Sequence, residues 1–297
     1  MRSLLFLLLA LAWQTGFGRV LDNQLLDSHH LGCARVYRVY LPPSYDQDQT
    51  RRYPVLYLQD GQNVFSTAGT NAAFGWGSWA LDTTADRLAD EGKMPEIIMV
   101  AVDNSPARLV EYAGPSRDTN APNTAFGKYA AFLVTELKPM IDGKYRTLPG
   151  PADTAVMGSS LGGVCSLALG WEHPDVFGGA ASLSGSFMPK YTDFLALLRA
   201  SQGPAKPLRI YLDSGATDFM GGDDGRAMTG EVAAELRRLG WKDDLKTYVD
   251  AKPLTPLELE KTGLRRDKWS EAETSQHNEF YWRQRAWRAL TFLFPPQ

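Results

Sequence analysis

The sequence contains little cysteine and little histidine. Its 297 residues include two cysteines, Cys33 and Cys165, and four histidines. Two cysteines cannot form a multi-disulfide framework, and their spacing does not match a structural zinc site. We expect both to be small core residues. An oxidising compartment would permit a bridge between them, but Cys165 lies within a predicted buried helix, which disfavours pairing.

The chain also lacks a cluster of basic residues, an internal repeat and a low-complexity tract. Its formal net charge is −3 and its isoelectric point is near 5.9. Without a basic stripe to neutralise phosphates, nucleic acid is not expected as a partner. The chain is 44% hydrophobic and 22% charged, which is ordinary for a globular protein and excludes a disordered or fibrous class.

One uninterrupted apolar run, Leu4 to Trp13, follows Met1-Arg2-Ser3. It is much shorter than the roughly 20 residues that a membrane-spanning helix needs, so no stable membrane span is expected. A positive start, a short apolar run and then small residues are typical of a signal peptide. We therefore predict a leader over residues 1–18, one domain over 19–297, and an extracytoplasmic (periplasmic or secreted) protein. The oligomeric state is not predicted.

Buried strands and amphipathic helices alternate along most of the chain. Apolar runs without alternation are typical of strands buried on both faces of a parallel sheet. They occupy residues 54–58, 97–102, 154–157, 179–183 and 208–212. The apolar stripe of residues 126–140 is the clearest of the helices between them. The pattern predicts the α/β class, with a mostly parallel, doubly wound sheet, helices on both faces, and ligands at the carboxyl ends of the strands.

Residues 252–276 interrupt this alternation. The segment is long for a connection, and long connections in compact domains are often functional lids. A surface insertion without a role in function explains the segment equally well. Because the segment directly precedes His277, a lid over the active site remains the other interpretation.

A nucleophile motif follows the strand that ends at Met157. The segment G-S-S-L-G, residues 158–162, has the G-x-S-x-G spacing and leads into an apolar helix. A serine on such a strand-to-helix turn exposes its hydroxyl, and glycines on both sides prevent backbone clashes. We predict Ser160, not Ser159, as the nucleophile. The Leu161 N–H at the helix start is one predicted oxyanion donor.

A serine nucleophile requires a base, and four histidines are available. His29 and His30 lie near the predicted mature N-terminus, and His173 is expected to cap a helix end. His277 is therefore the predicted general base, placed after the last strand and before the final helix. Asp218, just beyond the strand 208–212, is the predicted acid, and Asp213 is the alternative. Asp223 and Asp224 are weaker candidates, expected to be loop residues exposed to solvent.

The turn after the early strand 54–58 is the candidate source of the second oxyanion donor. We choose the N–H of Gln62 as this donor. A simple Asp60-Gly61 turn without a catalytic role is an equally common interpretation of such a sequence. Four side chains in nearby loops are candidate substrate-binding residues: Phe74, Trp76, Trp79 and Arg108. The three aromatic residues can equally belong to the core, and an ion pair that stabilises the loop after the strand 97–102 is the first interpretation of Arg108.

With these motifs in place, the chain resembles the "Putative esterase" family of α/β-hydrolases, related to esterase D, from about residue 35 to residue 294. The shared signatures are V-Y-L-P-P-S-Y, D-G-Q-N-V-F, L-K-P-M-I-D-G-K-Y-R-T, G-S-S-L-G-G and H-N-E-F-Y-W. The resemblance implies the α/β-hydrolase fold and serine hydrolysis, with Ser160, Asp218 and His277 at the catalytic positions. Gln62 and Leu161 match the oxyanion donors. The family includes feruloyl and acetylxylan esterases, siderophore trilactone esterases, S-formylglutathione hydrolases and mycolyltransferases.

Together, the motifs and the resemblance predict a secreted serine esterase that forms an acyl-enzyme on Ser160 and requires no cofactor and no metal. The first substrate class is an acyl or feruloyl ester of a carbohydrate, and a siderophore trilactone is the second. Two other hypotheses remain open, namely acyl transfer to an alcohol and a non-catalytic carbohydrate-binding protein on a hydrolase fold.

Overall fold

The computed structural model describes residues 16–115, 124–250 and 252–296. The strands in these ranges form one sheet in the order β1-β3-β5-β4-β6-β7-β8-β9, and β2 also pairs with β3. The strands are β1 Arg19–Val20, β2 Gln24–Ser28, β3 Cys33–Leu41, β4 Val55–Leu58, β5 Ile98–Val102, β6 Thr154–Ser159, β7 Gly179–Leu183, β8 Arg209–Ser214 and β9 Leu245–Val249.

The sheet is mostly parallel. From β5 through β4, β6, β7 and β8 to β9, every neighbouring pair is parallel. β3 runs antiparallel to β5, and β1 and β2 run antiparallel to β3. This confirms the predicted fold class. The N-terminal strands β1 and β2 are additions that the apolar pattern does not reveal, because they are short and half exposed.

The helices of the described ranges cover both faces of the sheet. They are α1 Ala72–Gly75, α2 Leu81–Asp90, α3 Arg108–Glu111, α4 Ala125–Ala131, α5 Lys138–Lys144, α6 Leu161–Glu172, α7 Phe194–Ala200, α8 Arg226–Arg238, α9 Pro256–Glu260, α10 Trp269–Thr274 and α11 Glu279–Leu293. A π-helical segment, Phe132–Leu137, joins α4 to α5. The predicted apolar stripe therefore lies on one continuous helical stretch.

Alternate residues of the central strands point into two separate hydrophobic cores. Val55 and Tyr57 of β4 belong to the larger core, beneath α4, α6, α7 and α8. Leu56 and Leu58 belong to the second, beneath α2 and α11. Because side chains alternate across a strand, a strand buried on both faces must be apolar at every position. This explains the unbroken apolar runs in the sequence.

Residues 252–276 form a structured insertion. Its helices α9 and α10 bury Leu259, Leu264 and Ala272 against Phe280 and Tyr281 of α11. A hydrogen bond from the Arg265 guanidinium to the Asn71 side chain, 2.8 Å long, ties it to the loop after β4. The insertion thus has an apolar core of its own and is docked onto the loops around the carboxyl ends of the strands.

The predicted leader is at the N-terminal end of the chain. Most of the predicted leader, residues 1–15, lies outside the described residues. Within the described ranges, no helix combines the length and apolar character needed to cross a membrane.

Cys165 is buried and unpaired, whereas Cys33 is exposed and unpaired. The expectation of a core position is therefore wrong for Cys33, which begins the partly exposed strand β3.

Candidate active site

Ser160 occupies the junction between β6 and α6. Its backbone has φ 54° and ψ −125°, a positive φ that is rare for any residue other than glycine. The Ser160 N–H donates to the Leu183 carbonyl of β7, and the Ser160 carbonyl accepts from the Ser186 N–H. The adjacent strand and the loop after it therefore hold this strained residue, with its side chain half-buried at the carboxyl edge of the sheet.

Two glycines make the turn around Ser160 possible. A Cβ atom on Gly158 would lie 2.5 Å from the carbonyl oxygen of Gly162. A Cβ on Gly162 would lie 3.0 Å from the Asp60 carboxylate. Only glycine fits at Gly158 without displacing backbone, which is the physical reason for the glycine spacing in the sequence motif.

The structure brings Ser160, His277 and Asp224 into one line of hydrogen bonds. His277 Nε2 lies 3.0 Å from Ser160 Oγ, and His277 Nδ1 lies 2.6 Å from Asp224 Oδ1. Both distances are within hydrogen-bond range. The arrangement links a hydroxyl, an imidazole and a buried carboxylate, the three groups that a serine hydrolase needs.

The carboxylate next to His277 is Asp224, so the prediction of Asp218 for this position is wrong. Asp218 Oδ1 accepts hydrogen bonds from the N–H groups of Met220 at 2.8 Å and Gly222 at 2.7 Å, and so closes a turn of its own loop. The loop after β8 continues to Gly225, and its last turn carries Asp224 back into the protein, where its side chain is fully buried. The alternative, Asp213, contacts Arg285 instead.

His277 is held between the insertion and α11. The preceding residue, Gln276, donates its N–H to the Thr217 carbonyl at 2.9 Å, which fixes it to the loop after β8. The following residue, Asn278, caps α11 by accepting from the Tyr281 N–H. The His277 ring meets Trp282 edge-to-face with centroids 5.1 Å apart, and Phe219 flanks it at 5.9 Å.

Asp224 carries its charge in a buried position. Burial by itself would raise the pKa of this carboxyl group. The hydrogen bond from His277, the charges of His277 and Arg285, and the hydrogen bond from Ser184 outweigh burial and hold the pKa below its ordinary value. The group therefore stays ionised at neutral pH, as required of a carboxylate that stabilises an imidazolium.

The two predicted oxyanion donors are backbone groups without an acceptor among the described residues. Neither the Leu161 N–H nor the Gln62 N–H donates a hydrogen bond there. Leu161 begins α6, where the first N–H groups point out of the helix. Gln62 lies in the short 3-10 turn Gly61–Asn63 after β4, and its side chain accepts from the Asn104 N–H. Both groups remain candidates for an oxyanion hole.

Polar and charged groups surround the turn that contains Gln62. Arg108 makes a two-point contact with Asp60, with Nε 2.7 Å and Nη2 2.8 Å from the carboxylate oxygens. Glu279 accepts from the Asn63 amide at 3.2 Å. Burial raises the pKa of Glu279 to about 7, and the nearby Asp60 charge adds to this rise. The Arg108 ion pair matches the first interpretation of this residue.

The three aromatic candidates for substrate contact differ in exposure. Trp79 is 4% exposed and packs against Trp282 with centroids 5.8 Å apart, so it supports the wall behind His277. It is a core residue, and the prediction that it contacts the substrate is wrong. Trp76 is half-buried under the insertion, with Lys268 Nζ 5.0 Å from its ring centroid. Phe74 is 95% exposed and remains free to contact a substrate.

Several residues around Ser160 and Asp224 were not singled out from the sequence. They are Ser186, whose hydroxyl lies 3.1 Å from Ser160 Oγ, and Ser184, Trp282 and Arg285, which lie behind Asp224. Trp282 lies in the H-N-E-F-Y-W signature, so it could have been found. In the part of the chain that the structure describes, no three His, Cys, Asp or Glu side chains are arranged to bind a metal ion.

Comparison with known proteins gives the family. Residues 28–290 match the family described as "Putative esterase". The chain belongs to this family. It is therefore an esterase, a carboxylic ester hydrolase, and a serine nucleophile is typical of such enzymes.

The relatives of this esterase that sequence comparison identifies are distant. The MPT51 antigen of Mycobacterium leprae is 31% identical over 204 residues, which is 68% of this chain and 56% of that protein. The uncharacterized protein YbbA of Bacillus subtilis is 24% identical over 64% of this chain and 72% of its own length. An endo-1,4-beta-xylanase/feruloyl esterase of Xylanibacter ruminicola is 29% identical over 55% of this chain, but the match covers only 21% of that longer protein.

Solved structures of esterases share the fold. A ferulic acid esterase superimposes with a TM-score of 0.67 at 20% identity, over 94% of this chain and 98% of that chain. The enterobactin esterase of Shigella flexneri superimposes with a TM-score of 0.65 at 19% identity, over 93% of this chain and 59% of that one. At these identities the likeness concerns the α/β-hydrolase fold, not the substrate.

Proposed function

We propose that this esterase hydrolyses carboxylic esters through an acyl-enzyme on Ser160. His277 Nε2 accepts the proton of Ser160 Oγ as the oxygen attacks the ester carbonyl. The Leu161 and Gln62 N–H groups stabilise the oxyanion, and His277 then protonates the departing alcohol. Water, activated by the same imidazole, attacks the acyl group and releases Ser160. Asp224 keeps Nδ1 protonated and stabilises the imidazolium throughout.

The observation that carries this proposal is the unbroken contact from Ser160 Oγ through His277 to the ionised, buried Asp224. Binding a carbohydrate without catalysis requires neither a buried carboxylate 2.6 Å from an imidazole nor a strained serine with positive φ. Family membership supports ester chemistry independently of this geometry.

As substrate we propose an acyl or feruloyl ester of a carbohydrate. A cleft of about 540 Å³ shares Gln62 with the oxyanion turn and does not include Ser160 or His277. Its other lining residues are the polar Asp22, Asn23, Arg38 and Thr67 and the apolar Val20, Leu21 and Ala68. Such a lining suits the hydroxyl groups of a sugar. The relative from Xylanibacter ruminicola, an endo-1,4-beta-xylanase/feruloyl esterase by name, favours the same class. A polymeric plant substrate also agrees with the proposed export of the protein.

A direct comparison of two substrates tests this proposal. The purified protein is assayed with a feruloylated oligosaccharide and with an iron-free siderophore trilactone, and products are analysed with and without a competing alcohol. We expect the higher kcat/KM on the feruloylated sugar, with free acid as product. Ser160→Ala should be inactive, whereas the matched control Ser159→Ala should keep its activity. Preference for the trilactone, or transfer of the acyl group to the alcohol, would refute the corresponding part of the proposal.

A further inference from the structure

A fully buried arginine lies behind the carboxylate of Asp224. Arg285 of α11 is 0% exposed, and its Nε lies 3.1 Å from Asp213 Oδ1. Its Nη2 donates to Ser184 Oγ and lies 3.7 Å from Asp224 Oδ2. A buried guanidinium is costly unless it is paired, and Asp213 supplies the pairing charge. The arginine thus brings a compensated positive charge to the far side of the carboxylate that contacts His277.

The Ser184 hydroxyl connects Arg285 to Asp224. It lies 3.0 Å from the indole Nε1 of Trp282 and also contacts Arg285 Nη2. Indole and guanidinium N–H groups can only donate, so the hydroxyl oxygen must be the acceptor in both contacts. A hydroxyl has one proton, and the remaining neighbour is Asp224 Oδ2 at 2.6 Å. The direction of the hydrogen bond from Ser184 to Asp224 is therefore fixed by the two donors.

The direction of this hydrogen bond decides which oxygen of Asp224 faces His277. Oδ2 accepts from the Ser184 hydroxyl and from the Gly215 N–H, which leaves Oδ1 for His277 Nδ1. A carboxylate is an acceptor only, so Nδ1 must carry the proton of the neutral imidazole. Nε2 then presents its lone pair to Ser160 Oγ, which is the tautomer that a general base requires.

We propose that Ser184 and Arg285 are positioning residues that hold the Asp224 carboxylate with Oδ1 facing His277 Nδ1 and so keep the imidazole aligned with Ser160 Oγ. This inference rests on the proposed function, because the alignment of His277 matters only if it serves as the base for Ser160. Neither residue touches the reacting atoms. Their effect reaches Ser160 through Asp224 and His277.

Removal of the Ser184 hydroxyl tests the inference. Ser184→Ala should lower kcat at least about tenfold, as expected for one lost hydrogen bond to a charged group, and leave KM unchanged. Since Ser184 has φ 47°, Ser184→Gly is a second variant whose backbone is unstrained at that angle. Ser166→Ala is the matched control, because the Ser166 hydroxyl is buried in α6 and has no hydrogen-bond partner among the described residues. It should retain wild-type kcat.

A nitrogen NMR measurement on His277 supplies a readout that does not depend on turnover. In the wild type, the Nδ1–H proton of His277 should exchange slowly with solvent, because it donates to the buried Asp224 Oδ1, and in Ser184→Ala it should exchange faster. Arg285→Lys keeps a positive charge beside Asp213 but not the guanidinium fork. It should likewise lower kcat and leave KM unchanged.

The outcomes separate the two proposals. If a fluorophosphonate does not label Ser160 in the folded wild-type protein, the proposed function fails. If the wild type is labelled and both Ser184 variants react at its rate, with the same exchange rate of the His277 Nδ1–H proton, the positioning role alone is refuted. A rise in KM at constant kcat would also overturn it, since the residues would then act on substrate binding.

Discussion

Replacing Asp224 by asparagine should nearly abolish activity while preserving the shape of the site. The two groups that face Asp224 Oδ2, the Ser184 hydroxyl and the Gly215 N–H, are donors. The asparagine oxygen must therefore occupy the Oδ2 position, and its NH2 group must face His277 Nδ1. Nδ1 then has to accept a hydrogen bond, so the ring proton moves to Nε2, which can no longer take a proton from Ser160.

The size of the effect follows from the loss of the base. In serine hydrolases of this arrangement, the wrong tautomer lowers kcat by about 10⁴-fold. That factor corresponds to about 5 kcal/mol of lost transition-state stabilisation. We expect a decrease of the same order in kcat, with little change in KM, because Asp224 is buried and cannot reach the substrate.

The matched control is Asp218→Asn. Asp218 uses Oδ1 to accept two backbone N–H groups, and asparagine offers the same oxygen. Initial rates on a short p-nitrophenyl ester, together with thermal unfolding of each variant, provide the comparison. Wild-type kcat in Asp224→Asn, or a loss in Asp218→Asn as large as that in Asp224→Asn, would refute the assignment of the acid.

Two further predictions concern stability. Burial raises the pKa of Glu279 from 4.5 to about 7, so the wild type loses stability as pH rises through this interval. In chemical denaturation, the free energy of unfolding of Glu279→Gln should equal that of the wild type at pH 4 and exceed it by about 3 kcal/mol at pH 8. The same pH dependence in both proteins would contradict this. Gly158→Ala, whose Cβ would meet the Gly162 carbonyl, should lower the free energy of unfolding by about 2 kcal/mol, as is typical of overpacked sites. Gly143→Ala, with open space around the Cβ, should not destabilise.

Most of the fold could be predicted because the central strands are buried on both faces. The predicted runs at 154–157 and 179–183 lie within β6 and β7, and the apolar helix predicted after the nucleophile motif is α6. The elements that were missed are short or half exposed, such as β1, β2, α9 and α10. Their stability comes from packing on the rest of the molecule, as with Leu259 of α9 beneath Tyr281, and not from a local apolar period.

The site was harder to predict because its geometry depends on contacts between distant residues. The motif around Ser160 is local, and its glycines carry a steric signal. By contrast, nothing local distinguishes Asp218 from Asp224. The choice depends on the length of the loop after β8 and on the positive φ of Asp224, which turns its side chain inward. Arg285 is likewise one of many helical arginines until the structure brings it to Asp213.

The most direct test of the account is active-site labelling. The purified protein is treated with a fluorophosphonate, and the adduct is located by peptide mass spectrometry, with Ser160→Ala and His277→Ala alongside. We predict labelling at Ser160 in the wild type, none at position 160 in Ser160→Ala, and much slower labelling in His277→Ala. A folded wild-type protein that remains unlabelled, or that is labelled at another serine, would contradict the central claim that His277 activates Ser160.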